Sequence, residues 1–254
     1  MTRFQDGLTV EDLTVQYRDF SLASTSLRVD PGEFVALVGT NGSGKSTFLR
    51  ALIGLNPHMT GGTSLWAGRS LLDRSPAARL DVAYVSDSRD DCMPGFTAGE
   101  YWNYCALVRE RAGGSTRSTF TRRASDLAVR LDFPLGSRAP LRSLSLGTAR
   151  KAQIISAVAA DPDLLILDEP FIGLDFIAAR ALEALLAELR DSGATVIASG
   201  HDLGLAGRLA DRVAVLHDGA VLLDHVVPHR GQVDEVEALV QVTLERARAR
   251  GGRR

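Results

Sequence analysis

The stretch EFVALVGTNGSGKST, residues 33–47, constrains this chain more than any other. Residues 33–39 are almost wholly apolar, the pattern of a strand buried on both faces. Gly39, Gly44, Lys45 and Ser46 then fit the spacing G-x-x-x-x-G-K-[ST]. From Lys45 onward Phe48, Leu49, Leu52 and Ile53 recur on one helical face, and Asn56-Pro57 is expected to stop the helix. A glycine-rich bend between a buried strand and a helix aims backbone N–H groups at one point, where the helix adds its positive end. That geometry suits a triphosphate. The candidate contacts are Gly39, Asn41, Gly42, Gly44, Lys45, Ser46 and Thr47, with Lys45 as the cation and the Ser46 hydroxyl placed for Mg²⁺. Only two of the 29 basic residues are lysines, so placing one here is informative.

The rest of the chain reads as alternating strands and helices. Polar and apolar residues alternate over 8–29, suggesting two or three antiparallel strands, and Asp30-Pro31-Gly32 signals a turn. Further strands are expected at 61–71, 81–86, 164–168 and 194–199, and two more around a turn in 212–224. A mostly helical insertion is expected over 88–160, with a flexible centre at 112–116. Leu182, Leu185, Leu186 and Leu189 form a helical stripe. The fold class that follows is α/β. It has a parallel sheet covered on both faces, an N-terminal antiparallel β subdomain and an inserted α-helical subdomain. Residues 1–224 read as one cassette, and 225–254 as a C-terminal helix with a basic, frayed end.

Two carboxylates stand where such a sheet places its ligands, off the carboxyl end of a buried strand. In LLILDEP they are Asp168, suited to support Mg²⁺, and Glu169, suited to orient or deprotonate a water. His201 follows the next buried strand, within reach of a γ-phosphate.

Composition excludes more than it assigns. A net charge of −2 argues against a strongly electrostatic nucleic-acid binder. Cys92 and Cys105 have no metal spacing and make no disulfide framework. No apolar run approaches the ~20 residues that span a bilayer, and the N-terminus lacks a secretory pattern. The expectation is a soluble cytoplasmic chain.

Taken together these motifs resemble the ATP-binding subunit of an ABC transporter over about residues 8–224. GTNGSGKST resembles Walker A and LLILDE resembles Walker B. SLSLGTARK (143–151) resembles the family signature LSGGQ, GLD (173–175) the D-loop, His201 the switch histidine and Tyr17 the aromatic that stacks on adenine. The likeness implies a P-loop NTPase (RecA-like) core and an ATPase using ATP and Mg²⁺. It also implies a separate integral membrane permease as partner, and so a peripheral place on the inner face of the cell membrane. It implies a second cassette, a homodimer in the simplest case, packed head to tail. Ser145 and Gly147 would then serve the partner's γ-phosphate, and Asp175 of the D-loop is a further nucleotide-binding candidate. The phrases LSLGTARK and DEPFIGLD look most like bacterial ABC-2-type exporters.

Three departures stand out. Leu146 and Thr148 replace the signature's usual Gly and Gln. Asp87 falls where the family has its Q-loop glutamine. Either Asp87 binds Mg²⁺ or a water, or the DSRDD loop is rebuilt. Phe96, Tyr101 and Trp102 either form a docking groove for the permease or pack inside the helical lobe. The alternative function is a soluble, non-transport ABC ATPase such as an iron–sulfur assembly type.

Overall fold

The computed structural model describes residues 6–73, 75, 79–88, 91–201, 203–227 and 231–251. Readings that fall on residues 1–5, on Arg89 and Asp90, or on 252–254 lie outside that set.

The apolar strand runs recognised in the sequence assemble into one six-stranded sheet. Its order is β10 (Ala220–Val226), β9 (Arg212–His217), β3 (Phe34–Val38), β8 (Thr195–Gly200), β7 (Leu164–Leu167) and β6 (Val82–Val85). All neighbours pair in parallel except β10, which returns antiparallel on β9. Because side chains alternate along a strand, the central strands feed two separate cores. Phe34, Ala36 and Val38 join one core, whereas Val35 and Leu37 join the other.

The second core lies under a four-stranded antiparallel sheet, β2 (Ser21–Val29), β1 (Leu8–Gln16), β4 (Met59–Trp66) and β5 (Arg69–Ser70), together with α1 (Lys45–Leu52). Phe48, Leu49 and Leu52 are fully buried there. Each such side chain stabilises by about 1.5–3 kcal/mol. The first core is covered by α2 (Ala98–Arg111), α3 (Arg117–Arg130), α4 (Leu146–Ala159), α5 (Phe176–Asp191), α6 (Leu203–Leu209) and α7 (Val233–Gly251). Val236 and Val240 of α7 are buried in that same core.

Two local readings are corrected. Helix α1 ends at Leu52, not at Asn56-Pro57. Gly54, at φ 65°, closes it: its N–H donates to the Ala51 carbonyl at 2.9 Å and the Leu55 N–H to the Arg50 carbonyl at 2.8 Å, a Schellman cap. Helix α6 has no counterpart in the sequence reading.

Helix starts differ in a way that matters for the site. α2, α3, α4 and α5 begin on Thr97, Thr116, Ser145 and Asp175, each accepting a backbone N–H with its side chain. Helix α1 begins on Gly44 with no side-chain cap, which leaves its first N–H groups available.

Candidate functional site

The bend after β3 wraps an open cleft of about 680 Å³. Its lining includes Asn41, Gly42, Ser43, Gly44, Lys45, Ser46 and Thr47, joined by Tyr17, Phe20, Asp87, Glu169, Ile172 and His201. Gly44 holds φ 104°, and a Cβ there would come within 2.7 Å of the Phe20 ring. The position therefore needs glycine for both backbone and space. The bend is anchored from afar: the Gly219 N–H, in the turn between β9 and β10, donates to the Ser43 carbonyl at 2.9 Å.

Lys45 is 6% exposed, with Nζ 2.9 Å from the Gly39 carbonyl and 3.3 Å from Glu169 Oε1. The other Glu169 oxygen lies 3.3 Å from His201 Nδ1. Glu169 thus stands between a cation and an imidazole at the cleft, on a backbone with φ 48°. That conformation is sparsely populated for a non-glycine residue and is held by its surroundings. Its N–H donates to Ser199 Oγ at 2.9 Å, and the Ser199 hydroxyl donates to Asp168 Oδ1 at 2.6 Å.

Asp168 is completely buried. Burial pushes its carboxyl above the usual range, opposed by the Ser199 and Ser46 hydroxyls and assisted by the charges of Asp87 and Glu169. Its Oδ2 is buried with no well-formed hydrogen bond. A buried carboxylate oxygen in that condition, beside the Ser46 hydroxyl, has the chemistry to accept from a metal-bound water. These residues fit Mg²⁺.

Tyr17 lies at the cleft, with its ring 4.6 Å from that of His58 and 6.5 Å from that of Phe20. Its hydroxyl accepts from Asn56 Nδ2 at 3.0 Å, and the same amide reaches the Thr47 carbonyl at 3.5 Å. Asn56, read from sequence as a helix stop, instead ties the aromatic to the first turn of α1. Sequence reasoning missed Phe20, Ile172 and Asn56. Only Phe20, three residues beyond Tyr17 in an exposed loop, offered a local signal.

Asp87 does line the cleft, as expected, but its carboxylate is engaged by Arg50 of α1, with Nη2 3.2 Å from Oδ1. Ser145, Gly147 and Asp175 lie outside the cleft lining. Ser145 caps α4 by accepting the Thr148 N–H at 3.2 Å, and Asp175 caps α5 by accepting the Ala178 N–H at 2.8 Å. A Cβ on Gly147 would fall 2.0 Å from the Gly173 carbonyl oxygen, so the two motif segments touch through backbone.

A second cavity, about 590 Å³, opens between β6 and the helices α2 and α4. Of the three aromatics expected to form a groove, Tyr101 lines it, and Phe96 is 39% exposed and edge-on to the groove residue Tyr104 at 6.4 Å. Trp102 turns inward: its indole donates to the Ala152 carbonyl at 2.9 Å and packs on Phe133. Among the described residues no helix is long and apolar enough to cross a membrane.

Known proteins share this arrangement. The family described as ABC transporter matches residues 22–172. The phosphonates import ATP-binding protein PhnC 2 of Nostoc sp. is 35% identical over 223 residues, covering 85% of this chain and 88% of that protein. The cobalt import ATP-binding protein CbiO of Rhodobacter capsulatus is 36% identical over 209 residues, covering 80% and 72%. A solved structure of an ATP-binding subunit of an ABC transporter superposes with a TM-score of 0.78 at 29% identity, covering 92% of this chain and 99% of that one.

Proposed function

The chain belongs to the ABC transporter family of ATP-binding proteins, and from that premise we propose that its own cleft holds MgATP with Glu169 as the base that activates the attacking water. The observation that carries this reading is the position of Glu169, 3.3 Å from both Lys45 Nζ and His201 Nδ1 at a cleft walled by residues 41–47.

The roles follow from the chemistry of each group. The uncapped start of α1 and Lys45 receive the phosphate oxygens. Tyr17 supports the base by stacking. Ser46 and Asp168 hold Mg²⁺, with Asp87 beside them; the ion, when bound, neutralises phosphate charge. Glu169 takes a proton from water, and His201 steadies its second oxygen beside the γ-phosphate. Gly39 shapes the entry to the bend.

The signature residues Ser145 and Gly147, with Asp175, serve the nucleotide of a second cassette of this same chain. Support comes from their lying outside the chain's own cleft lining and from the exposure of Ser145 and Leu146 at the start of α4. The groove beside Tyr101 and Tyr104 receives a permease segment, which places the chain at the inner face of the cell membrane. A soluble non-transport role is not favoured, since the relatives named above are transport proteins.

Glu169→Gln tests the central claim. The variant is expected to bind ATP normally, to lose turnover by at least about 10²-fold, and to accumulate as a dimer in sedimentation with ATP. Unimpaired turnover would remove Glu169 from its role.

A further inference from the structure

A cleft that takes a triphosphate is ill served by an extra negative charge on its wall, yet Asp87 lines it. The structure meets that charge with guanidinium groups from two helices. Arg50 lies one turn beyond Ser46 along α1, on the same face. Its Nη2 is 3.2 Å from Asp87 Oδ1, 2.8 Å from Asp91 Oδ2 and 3.1 Å from Ser86 Oγ. Arg150 of α4 is 1% exposed and donates to the backbone carbonyls of Ser86 and of Asp87, the latter at 2.5 Å. Gln153, one turn on, donates to the Ser88 carbonyl at 3.0 Å. The backbone of 86–88 is therefore fixed by α4, while the Asp87 carboxylate is fixed by α1. The two acids that share Arg50 open on different sides: Asp87 on the cleft, and Asp91, with Arg50 itself, on the groove beside α2.

We propose that Arg50 is a positioning residue that holds and neutralises Asp87, so that this chain can carry a carboxylate on the wall of its nucleotide cleft without repelling the triphosphate. The inference rests on the reading of the cleft as the ATP site. Its physical content is Coulombic. With Arg50 and Arg150 beside Asp87 and Asp91 the charges of the cluster balance and its field at the phosphates falls off quickly; without Arg50 a net negative charge is left beside the four of the triphosphate.

The test is calorimetric binding to the full chain in EDTA, so that any role of Asp87 toward Mg²⁺ stays out of the measurement. The probes are ATP and uncharged adenosine. Arg50→Gln is expected to weaken ATP binding by about fivefold and to leave adenosine unchanged. Arg50→Lys, which keeps the charge, should stay close to wild type. Adding Asp87→Asn to Arg50→Gln should restore ATP affinity, whereas adding Asp91→Asn should not, because Asp91 faces the groove. Asp87→Asn alone should bind Mg-free ATP at least as tightly as wild type, a result that does not depend on how well Arg50→Gln folds. The proposal is overturned if Arg50→Gln binds ATP like wild type or loses ATP and adenosine alike. It is equally overturned if Asp87→Asn fails to rescue, or if Asp87→Asn alone weakens binding. If wild type binds no ATP, the cleft assignment fails instead, and with it the premise.

Discussion

The chain's two lysines mark two helix starts built to opposite plans. Lys45 opens α1, which has no side-chain cap, and its ammonium sits in the cleft among the Gly39 carbonyl, the Thr40 carbonyl and Glu169. Lys151 lies in α4, whose start is capped by Ser145. Its ammonium is turned away to the Asp132 carbonyl at 3.2 Å and Asp175 at 3.4 Å. The first start has a cation, an acid and an imidazole around it. The second presents the exposed Ser145 and the 40% exposed Leu146. One is a whole site within the molecule. On the proposed function the other is half a site: its lysine is committed to internal ties, and a second molecule would have to bring the cation and the anion.

Four substitutions press on that contrast. Asp168→Asn has the largest expected effect, because it acts on the complete site. Burial raises the Asp168 carboxyl above the unfolded value, so the native state keeps its proton to higher pH than the unfolded chain does. Stability from this group is therefore full below the unfolded pKa and is lost as pH rises through the folded one. At neutral pH the charge is a cost. The amide should lower turnover by about 10²-fold through loss of metal support, yet raise the melting temperature by about 2–4 °C. Calorimetry and phosphate release read the two arms separately.

Gly147→Ala comes next. Its methyl would meet the Gly173 carbonyl at 2.0 Å, so the loss is structural, about 2 kcal/mol in denaturant unfolding. A larger side chain at this position would not test the half-site cleanly, since it displaces the 173–175 segment first. Ser145→Ala removes the cap of α4, worth about 1 kcal/mol. It should leave ATP affinity of the single molecule unchanged while weakening ATP-driven dimerisation, as followed by sedimentation. An unchanged dimer would erase the distinction drawn between the two starts. Tyr17→Phe keeps the ring and removes the hydroxyl tether to Asn56. A roughly threefold loss of ATP affinity is expected, with none for inorganic tripolyphosphate.

Much of this was legible in the sequence because the signals are local. The apolar runs at 34–38, 164–167 and 195–200 became the parallel strands, and the loop 39–47 needed only its own residues to be recognised. What escaped depended on partners far along the chain. Helix α6, LGLAGRL, is short and carries two glycines, so its propensity is poor and packing decides it. The end of α1 was assigned to Asn56-Pro57, yet Gly54 made the turn first, and the freed Asn56 side chain found Tyr17, 39 residues away. The engagement of Asp87 by Arg50 spans 37 residues. No pattern within a single element encodes such a meeting.

The bond from the Gly219 N–H to the Ser43 carbonyl carries a consequence for how the molecule is made. During synthesis the whole GTNGSGKST segment leaves the ribosome long before residue 219 does, and until then the bend lacks one of its moorings. Contacts so distant in sequence form late and slowly. A nascent chain stopped short of Gly219 would display every letter of the nucleotide motif without its finished shape. The finished shape of the nucleotide bend thereby waits on a residue far down the chain.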